Sequence, residues 1–342
     1  MNKNLRLFYI LIVLSIGAGI LWYMNTTDQG ELKPQGDFAI ADTASIGKIV
    51  ISDADQNVIT LERASDSRFW DLNKDYKARE DAVNLILKTV KLIQVKTTVP
   101  QTQKENVIRQ IAIGKRVDFY DLNGDPIKTY FVGTSTQDHT GTYMVLEKPE
   151  EGRSSEPFIM QMQGFTGFLT TRFFTDFEEW RYTGIFDFPE LDFKKVEVLH
   201  HEHPERSFEI EYNGGNDLKL KSVLLDKYIP NFDTLRVKDY LLLYKKVHLE
   251  THKSYLGAAQ EDSLINSNAA YTLGVTNKDG LRKKVDLYWK NPISVIMDAN
   301  GQPEKWDMAR IFGVVKGDDV TLCQRFVTDP LTIGISAFMK QD

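Results

Sequence analysis

The residues that most suggest chemistry are His200, His201, Glu202 and His203, which hold half of the six histidines in the chain. A zinc protease places two histidines at i and i+4 of one helix face with a glutamate between them, but here the spacing differs and Pro204 would break a helix. Adjacent strand residues point to opposite faces, so only His201 and His203 could share an ion, and two protein ligands make a weak site. The pattern predicts a solvated hairpin turn and no metal site.

Two further stretches carry nucleophiles. Ser135, Asp138 and His139 lie close together in GTSTQDHTGTYMVLE, but the members of a catalytic triad usually come from distant segments, and the chain has no G-x-S-x-G elbow. Cys323 is the single cysteine and lies in the strand-like DVTLCQRF, with no base nearby to activate its thiol. We predict a loop at the first site, a structural thiol at the second, and no catalytic residues.

Composition argues against polyanionic partners and nucleotide cofactors. The formal net charge is −6, and no stripe of Lys and Arg interleaves with aromatic residues, so nucleic acid is not an expected partner. The chain contains neither a Walker A sequence nor a G-x-G-x-x-G motif after a strand, so no cofactor is predicted.

The N-terminus predicts a membrane anchor. Residues 7–24, LFYILIVLSIGAGILWYM, contain no charge and are long enough to span a bilayer as a helix. Lys3 and Arg6 precede this run, which predicts a cytoplasmic tail at residues 1–6 and places the rest of the chain in the periplasm, anchored to the inner membrane. The alternative is a cleaved signal peptide. A polar linker is predicted at residues 25–45.

The remainder predicts an α+β fold made of two similar tandem units. Val83, Ile86, Leu87, Val90 and Ile93 have the spacing of an amphipathic helix, and the same spacing recurs 154 residues later at Val237, Tyr240, Leu241, Tyr244 and Val247. Alternating strand-like segments flank each helix, and each is followed by a hairpin whose turn is Asn123-Gly124 or Asp279-Gly280. We predict units at residues 46–175 and 192–339, each with antiparallel hairpins and one main helix, joined by a connector at residues 176–191.

Residues 164–188 form the densest aromatic stretch. Phe173, Phe177 and Trp180 follow helical spacing, which predicts core packing between the two units. The functional alternative is a partner-binding surface made of Arg172, Trp180 and Arg181, residue types that are enriched at interface hot spots.

Four stretches of the chain resemble the family known as domain of unknown function 4340, in its short membrane-anchored bacteroidete form. They are DFAIADTASIGKIVI, YKAREDAVNLILKTVKLIQVK, TYFVGTSTQDHTGTYMVLE and GFLTTRFFTDFEEWR, in order over roughly residues 37–190. The family has no established catalytic residues. Related domains occur in extracytoplasmic accessory subunits of gliding-type ABC transporters, so the resemblance implies a role in envelope assembly by analogy.

The leading functional expectation is a non-enzymatic accessory or scaffold protein, anchored in the inner membrane and held beside an envelope protein such as an ABC transporter. The alternative is a periplasmic binding module for a glycan, lipid or peptide. A deep pocket would favour the binding module, and a flat exposed patch would favour the scaffold.

Overall fold

The computed structural model describes residues 15–16, 36–64, 67–297, 300–315 and 319–340. These residues form two compact units, which meet in sequence between Trp180 and Arg181. The predicted membrane helix at residues 7–24 lies outside the described residues, apart from residues 15–16. Within the described part of the chain, no helix combines the length and apolar character that a membrane crossing requires.

The first unit is built on one antiparallel sheet with helices on its faces. Its strands are β1 (Ile46–Ser52), β2 (Val58–Arg63), β3 (Trp70–Leu72), β4 (Tyr76–Lys77), β5 (Ile93–Thr98), β6 (Lys115–Asp121), β7 (Pro126–Ser135), β8 (Thr142–Lys148), β9 (Gly152–Arg153) and β10 (Phe158–Met162). Its helices are α1 (Glu80–Leu92), α2 (Lys104–Ala112) and α3 (Phe177–Trp180).

The second unit has a similar composition of elements. Its strands are β11 (Gly184–Phe186), β12 (Phe193–His200), β13 (Phe208–Gly214), β14 (Asp217–Ser222), β15 (Lys227–Ile229), β16 (Val247–His248), β17 (Tyr271–Asn277), β18 (Arg282–Tyr288), β19 (Arg310–Val314) and β20 (Val320–Gln324). Its helices are α4 (Thr234–Leu242), α5 (Ala258–Ile265) and α6 (Arg325–Thr328). Both units mix helices with antiparallel sheets, so the predicted α+β class is confirmed.

Strand order follows one plan in both main sheets. In the first unit the order is β4-β3-β2-β1-β6-β7-β8-β10-β5, and in the second it is β15-β14-β13-β12-β17-β18-β19-β20. In each sheet the next strands run outward on one side of the first long strand, and the first hairpin after the main helix lies on its other side. β5, which follows α1 directly, lies at the far edge of the first sheet. β11 pairs with β16 in a separate small sheet.

The main helix of each unit forms where the apolar spacing predicts it. Val83, Ile86 and Val90 of α1 are buried in the first core. Asp233 caps α4 by accepting hydrogen bonds from two backbone amides of its first turn, and Tyr240 is buried in the second core. In both helices the stripe of apolar residues is the face that packs on the sheet.

The two predicted hairpin turns are confirmed. Gly124 connects β6 to β7 with a φ of +90°, and Gly280 connects β17 to β18 with a φ of +88°. A side chain at either position would strain the backbone, because L-residues rarely adopt these angles.

Two predicted boundaries need correction. Phe38 and Ile40 fall in the predicted linker at residues 25–45 but are buried in the first core, and the Ile40 amide donates to the Val90 carbonyl at 2.9 Å. The predicted connector at residues 176–191 is divided between the units, since Trp180 is buried in the first core and Phe186 in the second. In both segments, apolar side chains that lie among polar residues in the sequence are part of a core.

Candidate functional site

The histidine cluster is a hairpin turn whose first histidine is a core residue. His200 ends β12 with 3% of its surface exposed, and its Nε2 lies 3.1 Å from the Ile333 carbonyl oxygen. The expectation of a solvated loop is wrong for His200, because its position on β12 points to the same core face as Val196 and Val198. Burial lowers the pKa of His200, so the neutral imidazole is favoured.

The other two histidines of the cluster are exposed, as expected. The His201 Nε2 lies 2.9 Å from the Thr272 hydroxyl, and the His203 Nδ1 lies 3.5 Å from the Glu205 carboxylate. The described residues contain no group of three or more His, Cys, Asp or Glu side chains placed to hold a metal ion.

Ser135 and His139 approach each other, but Asp138 does not complete a triad. The Ser135 Oγ is 3.3 Å from the His139 Nδ1. The Asp138 carboxylate instead accepts from the Thr136 hydroxyl at 2.5 Å and the Thr140 hydroxyl at 2.6 Å. These hydrogen bonds, with Thr136 the largest contributor, lower the pKa of Asp138. The carboxylate therefore stabilises its own turn and does not orient the imidazole as a triad requires.

The three residues of the predicted partner surface are buried or only slightly exposed. Trp180 has 0% of its surface exposed, and its Nε1 donates to the Phe174 carbonyl at 2.9 Å. Arg172 is also buried, and its Nη1 donates to the Thr89 hydroxyl at 2.8 Å while its guanidinium lies over the Phe165 ring. The Arg181 Nη2 is 3.0 Å from the Asp319 carboxylate in the second unit. The structure does not present these three side chains as one exposed patch.

Cys323 packs in the second core as a small apolar residue, as predicted. Burial raises the pKa of its thiol to about 12. A thiol with this pKa is almost entirely protonated at neutral pH, so it is not a nucleophile.

The second unit contains an open cleft, which we call the α5 cleft. It encloses about 890 Å³ between α5 and the segment that follows β18, and its floor is made by β19 and β20. Its apolar lining includes Tyr255, Leu256, Leu264, Trp289, Phe312 and Leu322.

The α5 cleft exists because α5 covers the sheet incompletely. Leu264 and Ile265 of α5 pack against a small cluster on the sheet face formed by Tyr288, Phe312, Val314, Val320 and Leu322. No residue of α5 is fully buried, so the helix lies loosely on this cluster. Phe312 of β19 and Leu322 of β20 line the floor of the cleft, although only 6% and 4% of their surfaces are exposed.

Two ion pairs fix the charged groups of the cleft. Arg310 donates through Nε and Nη2 to the Glu250 carboxylate at distances from 2.7 to 3.1 Å. The Lys290 Nζ donates to the Asp307 carboxylate at 2.7 Å, and both of these side chains are largely buried. The hydrogen bond with Glu250 raises the pKa of Arg310, which therefore remains a cation.

A stack of indole rings supports one wall of the cleft. Trp289 and Trp306 lie parallel with their ring centroids 5.7 Å apart, and the Trp289 Nε1 donates to the Glu202 carboxylate at 3.2 Å. The guanidinium of Arg325 lies over the Trp289 ring at 5.5 Å. These contacts hold the Trp289 ring in place at the cleft.

Comparison with known families decides the family of the chain. The family described as "Domain of unknown function (DUF4340)" matches residues 70–257, which is more than half of the chain. The chain belongs to the DUF4340 family. No curated protein and no solved structure matches it.

The DUF4340 match runs from β3 of the first unit to the residue before α5 of the second, so it covers parts of both units. It begins and ends later than the four resembling stretches at residues 37–190. Most of the α5 cleft, including α5 itself and the Trp289 and Arg310 segments, follows the matched residues.

Sequence reasoning missed the α5 cleft. Its lining comes from segments around residues 250–267, 289–293, 310–312 and 322, which are far apart in the chain. One signal was available: the segment after β18, NPISVIM, is apolar without strand alternation and follows a tryptophan. Such a segment fits neither a buried strand nor a solvated loop.

Proposed function

We propose that this DUF4340 protein is a non-enzymatic binding protein that holds one amphiphilic lipid, an apolar chain with an anionic head group, in the α5 cleft. The observation that carries the proposal is the cleft itself. Its volume of about 890 Å³ lies within the range of small-molecule sites, which runs from roughly 300 to 1,000 Å³. Among the described residues, no catalytic constellation accompanies the cleft.

The apolar walls of the cleft favour a lipid chain. Leu256, Leu264, Phe312 and Leu322 offer aliphatic and aromatic surface with no hydrogen-bonding group. Burying an acyl chain on this surface gains roughly 25 cal/mol for each Å² removed from water. Polar side chains such as Ser263, Ser267 and Asn291 also line the cleft, so a ligand with both an apolar and a polar part suits it.

The cations of the cleft favour an anionic head group. Glu250 occupies the Nε and Nη2 of Arg310, and within the described part of the chain no acceptor is bonded to its Nη1. A carboxylate or phosphate oxygen can therefore bond to a guanidinium whose position is already fixed. Lys290 lines the same cleft with its charge balanced by Asp307, so the Nη1 of Arg310 is the donor that an anionic oxygen would use.

The proposed setting is the cell envelope. The uncharged run at residues 7–24 and the basic residues before it support an inner-membrane anchor with the folded units in the periplasm. An anchor of this kind would keep the cleft close to a source of lipid. Related domains occur in accessory subunits of gliding-type ABC transporters, which supports a transporter as a partner by analogy only.

The two units also support a tandem arrangement of one fold. Their main sheets share a strand order, their main helices follow the same position in that order, and Gly124 and Gly280 occupy corresponding turns. We therefore treat residues up to Trp180 and from Arg181 onward as two versions of one unit.

A photoactivatable fatty acid tests the binding proposal. Full-length protein in lipid nanodiscs is irradiated with a fatty acid carrying a diazirine near its tail, and the labelled peptides are identified by mass spectrometry. We expect labels within residues 254–267 and 289–293, which line the cleft.

Variants on α5 provide the matched control. Ala259 lines the cleft, whereas its exposed neighbour Ala258 does not, so Ala259→Trp should abolish the label and Ala258→Trp should retain it. The proposal fails if the label is confined to residues 7–24 or is equal in the two variants.

A second candidate, the scaffold role, is favoured by an exposed apolar segment. Ile293 is 88% exposed and Val295 75% exposed, and Ile296 and Met297 beside them are also exposed. Contiguous exposed apolar residues often mark a protein contact. A photo-crosslinking amino acid at Val295 in intact cells should then capture an envelope protein, and the same amino acid at exposed Asn266 should not.

A further inference from the structure

The first unit has its own cleft, which we call the α2 cleft. It encloses about 640 Å³ between α2 and the turn that follows β7, and its floor includes Tyr143 of β8 and Ile159 of β10. This cleft is separate from the Arg172 and Trp180 core packing, and neither the family match nor the proposed lipid site assigns it a role.

The two clefts occupy corresponding places in the two units. Helix α2 follows β5 and packs on a cluster that includes residues of β7, β8 and β10, and α5 follows β16 and packs on a cluster from β18, β19 and β20. In each unit the cleft opens between this helix and the segment after the hairpin strand, β7 or β18. The fold therefore builds the same recess twice.

The lining of the α2 cleft is rich in side-chain amides, whereas that of the α5 cleft has a large apolar part. Asn106 and Gln110 of α2 line it, together with Gln103, the residue just before the helix. Gln137 lines the same cleft from the turn after β7. Gln103, Asn106 and Gln137 form no side-chain hydrogen bond within the described ranges, so their amides can bond to a ligand. Each amide carries two N–H donors and one carbonyl acceptor.

Charge in the α2 cleft is balanced. Lys96 and Asp138 are its charged side chains; the Lys96 Nζ donates to the Thr140 hydroxyl at 2.5 Å, and Asp138 accepts from the same hydroxyl. The cleft therefore carries one positive and one negative side chain, with no excess of positive charge to favour a polyanion. Tyr143, half-buried on the floor, adds an aromatic surface that can cover the apolar face of a ligand.

We propose that the α2 cleft binds a neutral carbohydrate, a short oligosaccharide whose hydroxyl groups bond to the amides while one ring face packs on Tyr143. A hydroxyl is both a donor and an acceptor, and an amide can satisfy either role, which makes this lining chemically complementary to a sugar. Asp138 supplies an additional acceptor beside the amides. The two recesses would then have diverged, one toward lipid and one toward glycan.

Saturation-transfer NMR with defined sugars tests the proposal. Full-length protein in nanodiscs is presented separately with maltotetraose, cellotetraose and chitotetraose, and with empty nanodiscs as the blank. We expect transfer to at least one of the three oligosaccharides. The double variant Asn106→Ala with Gln137→Ala should weaken binding of that sugar roughly tenfold or more, because two ligand hydrogen bonds are lost.

Gln94→Ala is the matched control, since Gln94 is an exposed amide on β5 that does not line the cleft. It should leave sugar binding unchanged, and circular dichroism should show that all variants are folded. The proposal is overturned if none of the three sugars binds, or if the double variant binds as tightly as the Gln94 variant. Either result leaves the lipid proposal untouched, because Ala259→Trp tests a different unit.

Discussion

Replacing Trp180 by alanine should severely destabilise the first unit. The indole is fully buried, stacks on Phe174 with the ring centroids 4.3 Å apart, and donates to the Phe174 carbonyl. Truncating a core tryptophan to alanine costs about 3–5 kcal/mol, and the carbonyl also loses its donor. A loss of this size is a large fraction of the roughly 5–15 kcal/mol that stabilises a typical domain.

Hydrogen exchange read by mass spectrometry measures this loss within each unit of the full chain. Peptides from β1 and α1 should exchange much faster in Trp180→Ala, whereas peptides from β12 and α4 serve as the internal reference.

Asp319→Ala is the comparison variant for a surface position. It removes an ion pair with Arg181, and the Asp319 side chain is 63% exposed, so we expect a cost of less than about 1 kcal/mol. If Trp180→Ala also costs less than about 0.5 kcal/mol, as surface substitutions usually do, Trp180 is not a core residue. That result would favour the alternative in which Trp180 belongs to a partner-binding surface.

Three further predictions follow from individual residues. Because burial lowers the pKa of His200 below its ordinary 6.5, the unfolded state binds the proton more readily, so the second unit should lose stability as pH falls through 6.5 and level off below the folded pKa. His200→Leu should remove this part of the pH dependence in urea titrations, and exposed His203→Asn should not. Gly280→Ala should destabilise the second unit by about 1 kcal/mol through its φ of +88°, whereas Gly257→Ala, at a φ of −79°, should not. Cys323 should resist a thiol reagent in the native protein and react fully in denaturant; rapid native reaction would contradict its buried position.

Much of the sheet architecture could be predicted from local patterns. Period-two alternation locates strands such as β12 and β13, and the i, i+3, i+4 spacing from Val83 locates α1. The turns at Gly124 and Gly280 follow from the dipeptides that favour positive φ. These signals are local, so the sequence carries them without knowledge of the fold.

The candidate sites could not be predicted in the same way. Helix α5 buries none of its residues fully, so it has no apolar stripe to reveal it. The pairing of Arg310 with Glu250 joins positions 60 residues apart and depends on how the segment before α5 lies against β19. His200 and Phe38 show the same limit in the core, because their burial depends on partners elsewhere in the chain.

Native mass spectrometry of the full-length protein released from detergent micelles tests the lipid proposal most directly. We expect one bound lipid per chain, with a carboxylate or phosphate head group, in the wild type and in Ala258→Trp, and its loss in Ala259→Trp because the new ring fills the α5 cleft. A wild-type protein free of lipid, or equal lipid occupancy in the two tryptophan variants, would contradict the assignment of the α5 cleft as the lipid site.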